Sequence, residues 1–427
     1  ITVNSTADTT TQDDGNCTLR EAINNVNAGS DTTDGGGGGD CVAGDGTDDT
    51  ITLPSGTITL TSDLPTITAS ITIQGQGMGV SVIDGDNGAY KMFNLSGTGT
   101  SAVFQGLTIS GFRGIAIQDN DPDLPSEVLN FTASQVEIDG THAVVGDGSV
   151  TGISLFSFGG GTRTYDIEDV YIHDLDGSAD GTVSGLLLGA ADVTANITIH
   201  NVTVANISNS SAVAGAQAII FLVGPFSSMT GGTINADVSN TTMTNVSALH
   251  GAAGGIAALG MTANGDANLD LTLKNITVSG VDGTQLPGYP VPSAALEVVG
   301  VSFTNAQTAN VSVEASNVVL ADSLHDGSPN NCTVANMNTD LGGTGDVNVS
   351  LTSAGGNLSD DASCAPYFTD PTDQNNVSGL AASLSPLADN GGYVPTMALL
   401  STSPAVDSGV TVAGLTTDAR GATRPQG

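Results

Sequence analysis

One short element recurs through the middle of the chain: apolar, two residues, apolar, one residue, apolar. It reads Phe104…Leu107…Ile109, Ala133…Val136…Ile138, Ile167…Val170…Ile172, Ile199…Val202…Val204, Leu273…Ile276…Val278 and Ala315…Val318…Leu320, with a degenerate copy around Met243. The middle anchors at 107, 136, 170, 202, 243, 276 and 318 are 29, 34, 32, 41, 33 and 42 residues apart. A unit repeated with irregular insertions marks a solenoid, in which each copy buries its apolar side against its neighbours. The units show strand alternation broken by Gly, Asn and Asp and carry no helix, which excludes leucine-rich and helical repeats. The pattern predicts an all-β chain, a right-handed parallel β-helix over 51–330 with each repeat as one coil. Coils stacked about 4.8 Å apart would make about ten coils a rod of about 50 Å. A β-propeller fits less well, because its blades carry four regular strands and aromatic marks, and aromatics are only 4% here.

The residue before each middle anchor forms a second column: Gly106, Gln135, Asp169, Asn201, Thr242, Asn275 and Asn317. Asn tolerates left-handed backbone and bonds its own main chain, so a stacked polar corner is expected there. A solenoid must also cover its ends. Thr18-Leu-Arg-Glu21 has the form of a capping box, and Leu19, Ile23 and Val26 continue it as an apolar stripe. The expected divisions are 1–50 for an N-terminal strand, capping helix and loop, 51–330 for the β-helix, and 331–427 for a C-terminal β extension.

Charge narrows the partners. The 427 residues carry 44 Asp and Glu against seven Lys and Arg (Arg20, Lys91, Arg113, Arg163, Lys274, Arg420, Arg424), a formal charge of −37. Seven cations make no basic groove, which argues against nucleic acid and anionic membranes. No apolar run reaches 18 residues, so no membrane-spanning helix is expected. Ile1 opens directly in a strand-like segment, as in an exported chain whose signal peptide has been removed.

Asn16-Cys-Thr-Leu-Arg-Glu-Ala-Ile23 resembles the Cys-Ser-Leu-Arg-Glu-Ala signature of secreted bacterial parallel β-helix surface proteins, with Thr18 in place of the Ser. The run from Ile51 to Gly85 is similar to the opening coils of that group. The C-terminal part resembles the domain called choice-of-anchor Q. The matching pieces are Gly355-Gly-Asn-Leu-Ser359, Pro386-Leu-Ala-Asp-Asn-Gly-Gly392, Ser403-Pro-Ala-Val-Asp407, Asp418-Ala-Arg-Gly421 and Arg424-Pro-Gln426. The resemblance implies an extracellular, cell-surface location but no single activity. It also implies a closing strand beyond the last motif, which a partner could supply in an assembly. Cys17 and Cys41 flank the capping helix, and Cys332 and Cys364 flank the C-terminal entry. Two spaced pairs in an exported chain are most simply two disulfides, and the resemblance implies the same pairing. Five scattered His (142, 173, 200, 250 and 325) and the lack of any Cys-x-x-Cys argue against a zinc site.

Several clusters carry competing readings. Asp40, Asp45, Asp48 and Asp49, near Asp31, Asp34 and the run Gly35–Gly39, could hold Ca2+; the alternative is a solvated loop, and no cofactor is required. About sixteen Asn-x-Ser/Thr triplets, among them Asn94, Asn130, Asn196, Asn201, Asn206, Asn240, Asn245, Asn275, Asn310, Asn348 and Asn376, are glycosylation candidates. Strand alternation alone enriches such triplets. The best acid/base patch is Glu137 and Asp139 beside Asp169, Tyr171 and His173, where neighbouring coils could offer the two carboxylates of a glycoside hydrolase. A site for acidic sugars needs cations, and only Arg163 is near. Asn338-Thr-Asp340 resembles a polygalacturonase tripeptide, but its companion Gly-His-Gly and Arg-Ile-Lys elements are missing, and the chain has no Trp.

The expectation is therefore a non-catalytic extracellular structural protein. It would be a β-helix rod at a cell surface, or one that self-associates head to tail into a homo-oligomer or filament, with Ile1-Thr-Val-Asn-Ser5 as a strand to donate. The alternatives are an adhesin that binds glycans or host surfaces, and a polysaccharide lyase or hydrolase.

Overall fold

Inward β-branched and aliphatic residues stack in columns, and the columns fix the architecture. A computed structural model describes residues 1–97, 99–119, 128–145, 148–177, 181–211, 214–224, 230–285 and 291–424. It is a parallel β-helix with one 15-stranded and one 8-stranded sheet. In the larger sheet nine rungs run from Asp49–Thr52 to Thr308–His325, and a tenth, Asp346–Ser353, pairs with the ninth. The smaller sheet runs through Val150–Ser157, Val183–Ala190, Ala216–Val223, Ala253–Thr262 and Ala294–Ser302 and ends at Cys332–Asn336.

The register reproduces the repeat. Ile73, Phe104, Ala133, Ile167, Ile199, Val238, Leu273 and Ala315 lie opposite one another in turn. Ile109, Ile138, Ile172, Val204, Met243, Val278 and Leu320 form a parallel column. Met243 thus belongs to the third column, and Thr241, opposite Ile276, is the middle residue of its coil. The degenerate copy is Val238…Thr241…Met243, with the bend at Asn240 instead of Thr242. Thr241 fits an apolar column because its hydroxyl is returned to the Ser239 carbonyl at 3.0 Å.

The rung Val128–Asp139 has Gln135 as its one left-handed residue, and six others bend at two left-handed residues five positions apart. The pairs are Gly106 and Gly111, Asp169 and Asp174, Asn201 and Asn206, Asn240 and Asn245, Asn275 and Gly280, and Asn317 and Asp322, all with φ between 51° and 78°. Asn and Asp are favoured there over other side chains because they tolerate positive φ. The carboxamides also join the coils. Along the first bend Nδ2 of Asn201, Asn240, Asn275 and Asn317 donates to the Oδ1 of Asp169, Asn201, Asn240 and Asn275, at 2.9 to 3.2 Å. Along the second, Asn206 donates to Asp174 and Asn245 to Asn206.

Both ends are covered. The helix Leu19–Ala28 begins at Thr18 with the full capping box and buries Leu19, Ala22, Ile23 and Val26. Arg20 lies beneath it, only 9% exposed. It takes Asp8 through Nε and Nη2, both at 2.8 Å, and donates to the carbonyls of Ser62 and Asp63. The N-terminal strand is paired within the chain: the Ile1 ammonium donates to Thr50, and Thr2 bridges Thr52 in parallel. At the other end Leu351, Cys364 and Phe368 close the core, with Tyr367 packed on them. Disulfides join Cys17 to Cys41 and Cys332 to Cys364.

The C-terminal region begins as a β extension, with Cys332–Asn336, Asp346–Ser353 and Leu358–Ser359 added in parallel to the sheets. Beyond Leu358–Ser359 its described residues form isolated bridges and one 3-10 turn, Ala381–Ser383. The later part of the segment returns along the first bend. Val410 meets Asn317, the Thr417 carbonyl accepts from Asn240, and the Pro395 carbonyl accepts from Thr203. Pro425 and Gln426 of the last motif lie outside the described residues.

Candidate functional site

The acid/base patch forms on the outer face of the larger sheet where three rungs meet. Register places Thr108 opposite Glu137, Glu137 opposite Tyr171, and Asp139 opposite His173. His173 Nε2 lies 3.3 Å from Glu137 Oε1, and its Nδ1 lies 2.7 Å from Asp174 Oδ2 and 3.9 Å from Asp139 Oδ1. Thr108 Oγ1 donates to the other Glu137 oxygen at 2.7 Å. Tyr171 stacks on the imidazole, with ring centres 4.1 Å apart.

The electrostatics follow from that nest. Burial opposes the charge on His173, but hydrogen bonds to Glu137 and Asp174 outweigh it and hold the imidazole above its usual range. The same bond holds Glu137 below the usual carboxylate range, against partial burial. Tyr171 is pushed up to about 12 by burial, then by Asp174, Glu137 and Asp139.

Asp169 stands apart from this group. It is 8% exposed at the first bend, and its Oδ1 accepts from Asn201. Burial pushes its carboxyl up, partly offset by that bond. Its role is to begin the asparagine ladder. Asp174 takes its place in the patch and was not legible from alternation, which would turn residue 174 inward after outward His173. The left-handed bend at φ 57° turns it outward. A recurring Asn, Asp or Gly five residues after the first bend is the sequence signal that marks it.

The cations do not gather here. Arg163 is 3% exposed and donates to the carbonyls of Phe158 and Thr162. Lys274 pairs with Asp237, Arg113 with Asp63, and Arg420 with Asp418. Asn338, of the Asn-Thr-Asp tripeptide, holds a turn by accepting from Ser302 N–H and donating to the Gly345 carbonyl.

The candidate calcium ligands Asp40, Asp45 and Asp49 accept hydrogen bonds from nearby groups. Asp40 accepts from Gly15 N–H, Asp45 from Thr47, and Asp49 from Asp45 N–H. The glycine run wraps its main-chain N–H groups around carboxylates, with Gly35, Gly37 and Gly39 donating to Asp13, and Gly36 and Gly38 to Asp34. Among the described residues no three ligand atoms of Asp40, Asp45, Asp48 and Asp49 come within 4.8 Å of one another. Among the described residues, three His, Cys, Asp or Glu ligand atoms come within 4.8 Å of one another only at Asp139, His173 and Asp174.

Many sequons have ladder roles. Asn201, Asn206, Asn240, Asn245 and Asn275 occupy the bends with Nδ2 bonded to the neighbouring coil. Asn130, Asn310 and Asn348 bond Ser101, Asn268 and Asn310 in the same way from strand positions. Asn196 and Asn376 are exposed, and Asn94 is half-buried with an unpartnered Oδ1.

No family model, characterised protein or solved structure matches this chain. The motif residues at its ends have structural work in this fold. Thr18, Arg20 and Glu21 build the N-terminal cap. Asn357 donates to the Ala315 carbonyl and accepts from Val318 N–H, and Asp418 closes the turn to Arg420 and Ala422.

Proposed function

We propose that this chain is a non-catalytic extracellular structural protein, a β-helix rod that acts at a cell surface or as the subunit of a fibre. The observation that carries the reading is the strand Asp346–Ser353, which pairs on one side with Thr308–His325 and has no strand on its other side among the described residues. An unpaired edge of this length is a template for another chain, and Asn348 already donates to Asn310 at the open end of an asparagine row. The core beneath that end is closed by Leu351 and Phe368, so joining would act through main-chain edges and leave the apolar interior undisturbed. Ile1–Val3 is paired within its own chain, so the partner strand in this reading is not a donated N-terminus.

Two disulfides and the lack, among the described residues, of any helix long and apolar enough to cross a membrane fit an extracellular setting. The resemblance of both ends to secreted surface proteins supports the same location. Among the described residues Arg163, Lys274, Arg113 and Arg420 are bonded to partners other than Glu137 and His173, which favours a structural role over cleavage of acidic polysaccharides. The net charge of −37 opposes association unless ions screen it.

Electron microscopy of the purified chain over a series of salt and divalent-ion concentrations tests this. End-joined rods are expected once charge is screened, and Val349→Pro in the open strand should leave single rods. Single rods of the parent under every condition would refute assembly. Polysaccharide depolymerisation lost in Glu137→Ala would refute the non-catalytic reading, and saturable retention on immobilised glycans without assembly would establish an adhesin instead.

A further inference from the structure

We propose that Asp139, His173 and Asp174 bind a divalent first-row transition-metal ion through His173 Nδ1 and one carboxylate oxygen of each aspartate. The three donor atoms lie within 4.8 Å of one another, with Nδ1 at 2.7 Å from Asp174 Oδ2 and 3.9 Å from Asp139 Oδ1. An ion bonded at about 2.1 Å holds neighbouring ligand atoms about 3 to 3.5 Å apart, so the two distances from His173 Nδ1 already lie close to the span an ion would set. One imidazole with two carboxylates suits zinc, manganese, cobalt or copper better than calcium or magnesium, which prefer oxygen alone. Asp139 and His173 are partly buried and Asp174 is exposed, which leaves room for water at the remaining positions.

Each donor is oriented by a further group, as metal ligands characteristically are. Glu137 takes the far nitrogen of His173, and Thr108 fixes Glu137. That gives the carboxylate–histidine order in which a metal would complete the line. Asn206 holds Asp174 Oδ1 at 2.8 Å and leaves Oδ2 turned toward the ring, while Asn245 in turn holds Asn206. Thr141 N–H bonds Asp139 Oδ1 at 2.8 Å. All three donors lie on adjacent rungs or at their bends, so the backbone need not rearrange. Charge points the same way: three carboxylates surround one imidazole, and a dication neutralises more of that charge than a single proton does.

The test must distinguish this site from weak ion binding by the chain's 44 acidic residues. Zn2+ titration calorimetry on the full chain should show one site well separated from the weak background. Cu2+ at one equivalent should give an electron paramagnetic resonance signal coupled to one imidazole nitrogen. His173→Gln should abolish both, and Glu137→Gln should weaken Zn2+ binding about ten-fold or more. Asp166→Asn, at an exposed outward position of the same rung, should change neither. Melting curves in chelator establish that the variants fold; should His173→Gln fail to fold, Asp139→Asn carries the same expectation of at least ten-fold loss. Zn2+ binding that never rises above the background, or nitrogen coupling that survives in the variants, would overturn the assignment.

Discussion

The carboxamide of Asn317 pairs with the main chain of Val410 as a strand neighbour would: Nδ2 donates to the Val410 carbonyl at 2.8 Å and Oδ1 accepts its N–H at 2.7 Å. The same Nδ2 also donates to Asn275. One side chain thus ends the asparagine ladder and anchors the returning C-terminal segment.

Asn317→Asp keeps the shape and the left-handed tolerance but replaces both donations with repulsion between oxygens. A loss of about 2 kcal/mol is expected, in the range for unpairing buried polar groups. Hydrogen exchange should rise around Val410 and the Thr308–His325 bend together. Exchange confined to Val410 would show that the ladder does not depend on this contact.

Asn240 separates the backbone and side-chain contributions of a ladder residue. It is 5% exposed at φ 51° and donates to both Asn201 and Thr417. Asn240→Gly should lose the bonds alone, about 1 to 2 kcal/mol. Asn240→Ala should cost about 1 to 2 kcal/mol more, because alanine resists left-handed backbone. Guanidinium midpoints measure both, and equal losses would remove the backbone argument.

Glu297 gives a pH dependence with a defined sign. It is 1% exposed, and burial pushes its carboxyl up to about 8, against hydrogen bonds from Gln217 and the Ala294 main chain. Between its usual 4.5 and about 8 the folded chain retains a proton that the unfolded chain has lost. This contribution to stability therefore falls as pH rises through that window and levels off above it. Glu297→Gln should match the parent near pH 5 and exceed it at pH 9, by an amount on the order of 4 kcal/mol. Urea unfolding of both at each pH provides the comparison; a constant difference would contradict a neutral buried carboxyl.

The disulfides should act independently, since they lie at opposite ends of the rod. Their sequence separations of 24 and 32 correspond to about 3 to 4 kcal/mol each if loop closure dominates. Paired Cys→Ser replacement at one end, then the other, then both should give nearly additive losses in denaturant midpoint. A strongly non-additive result would indicate that one cap supports the other through the rod.

The sequence alone determined the stacked coils, the capping box at Thr18 and Glu21 and the two cysteine pairs. The coil columns and the capping box are local patterns: an inward residue recurs within six positions, and a helix cap within four. The Met243 coil is offset by two residues from the repeat as the sequence shows it, because Thr241 occupies an apolar column, and only pairing with Ile276 exposes that substitution. Asp169 and Asp174 exchanged places in the patch for a related reason: left-handed bends interrupt the alternation from which outward positions are read. The contact of Asn317 with Val410 spans 93 residues, and His173 meets Glu137 across 36. No local pattern encodes such distances. Only the tertiary register, set by burying every coil against the next, decided which side chains meet.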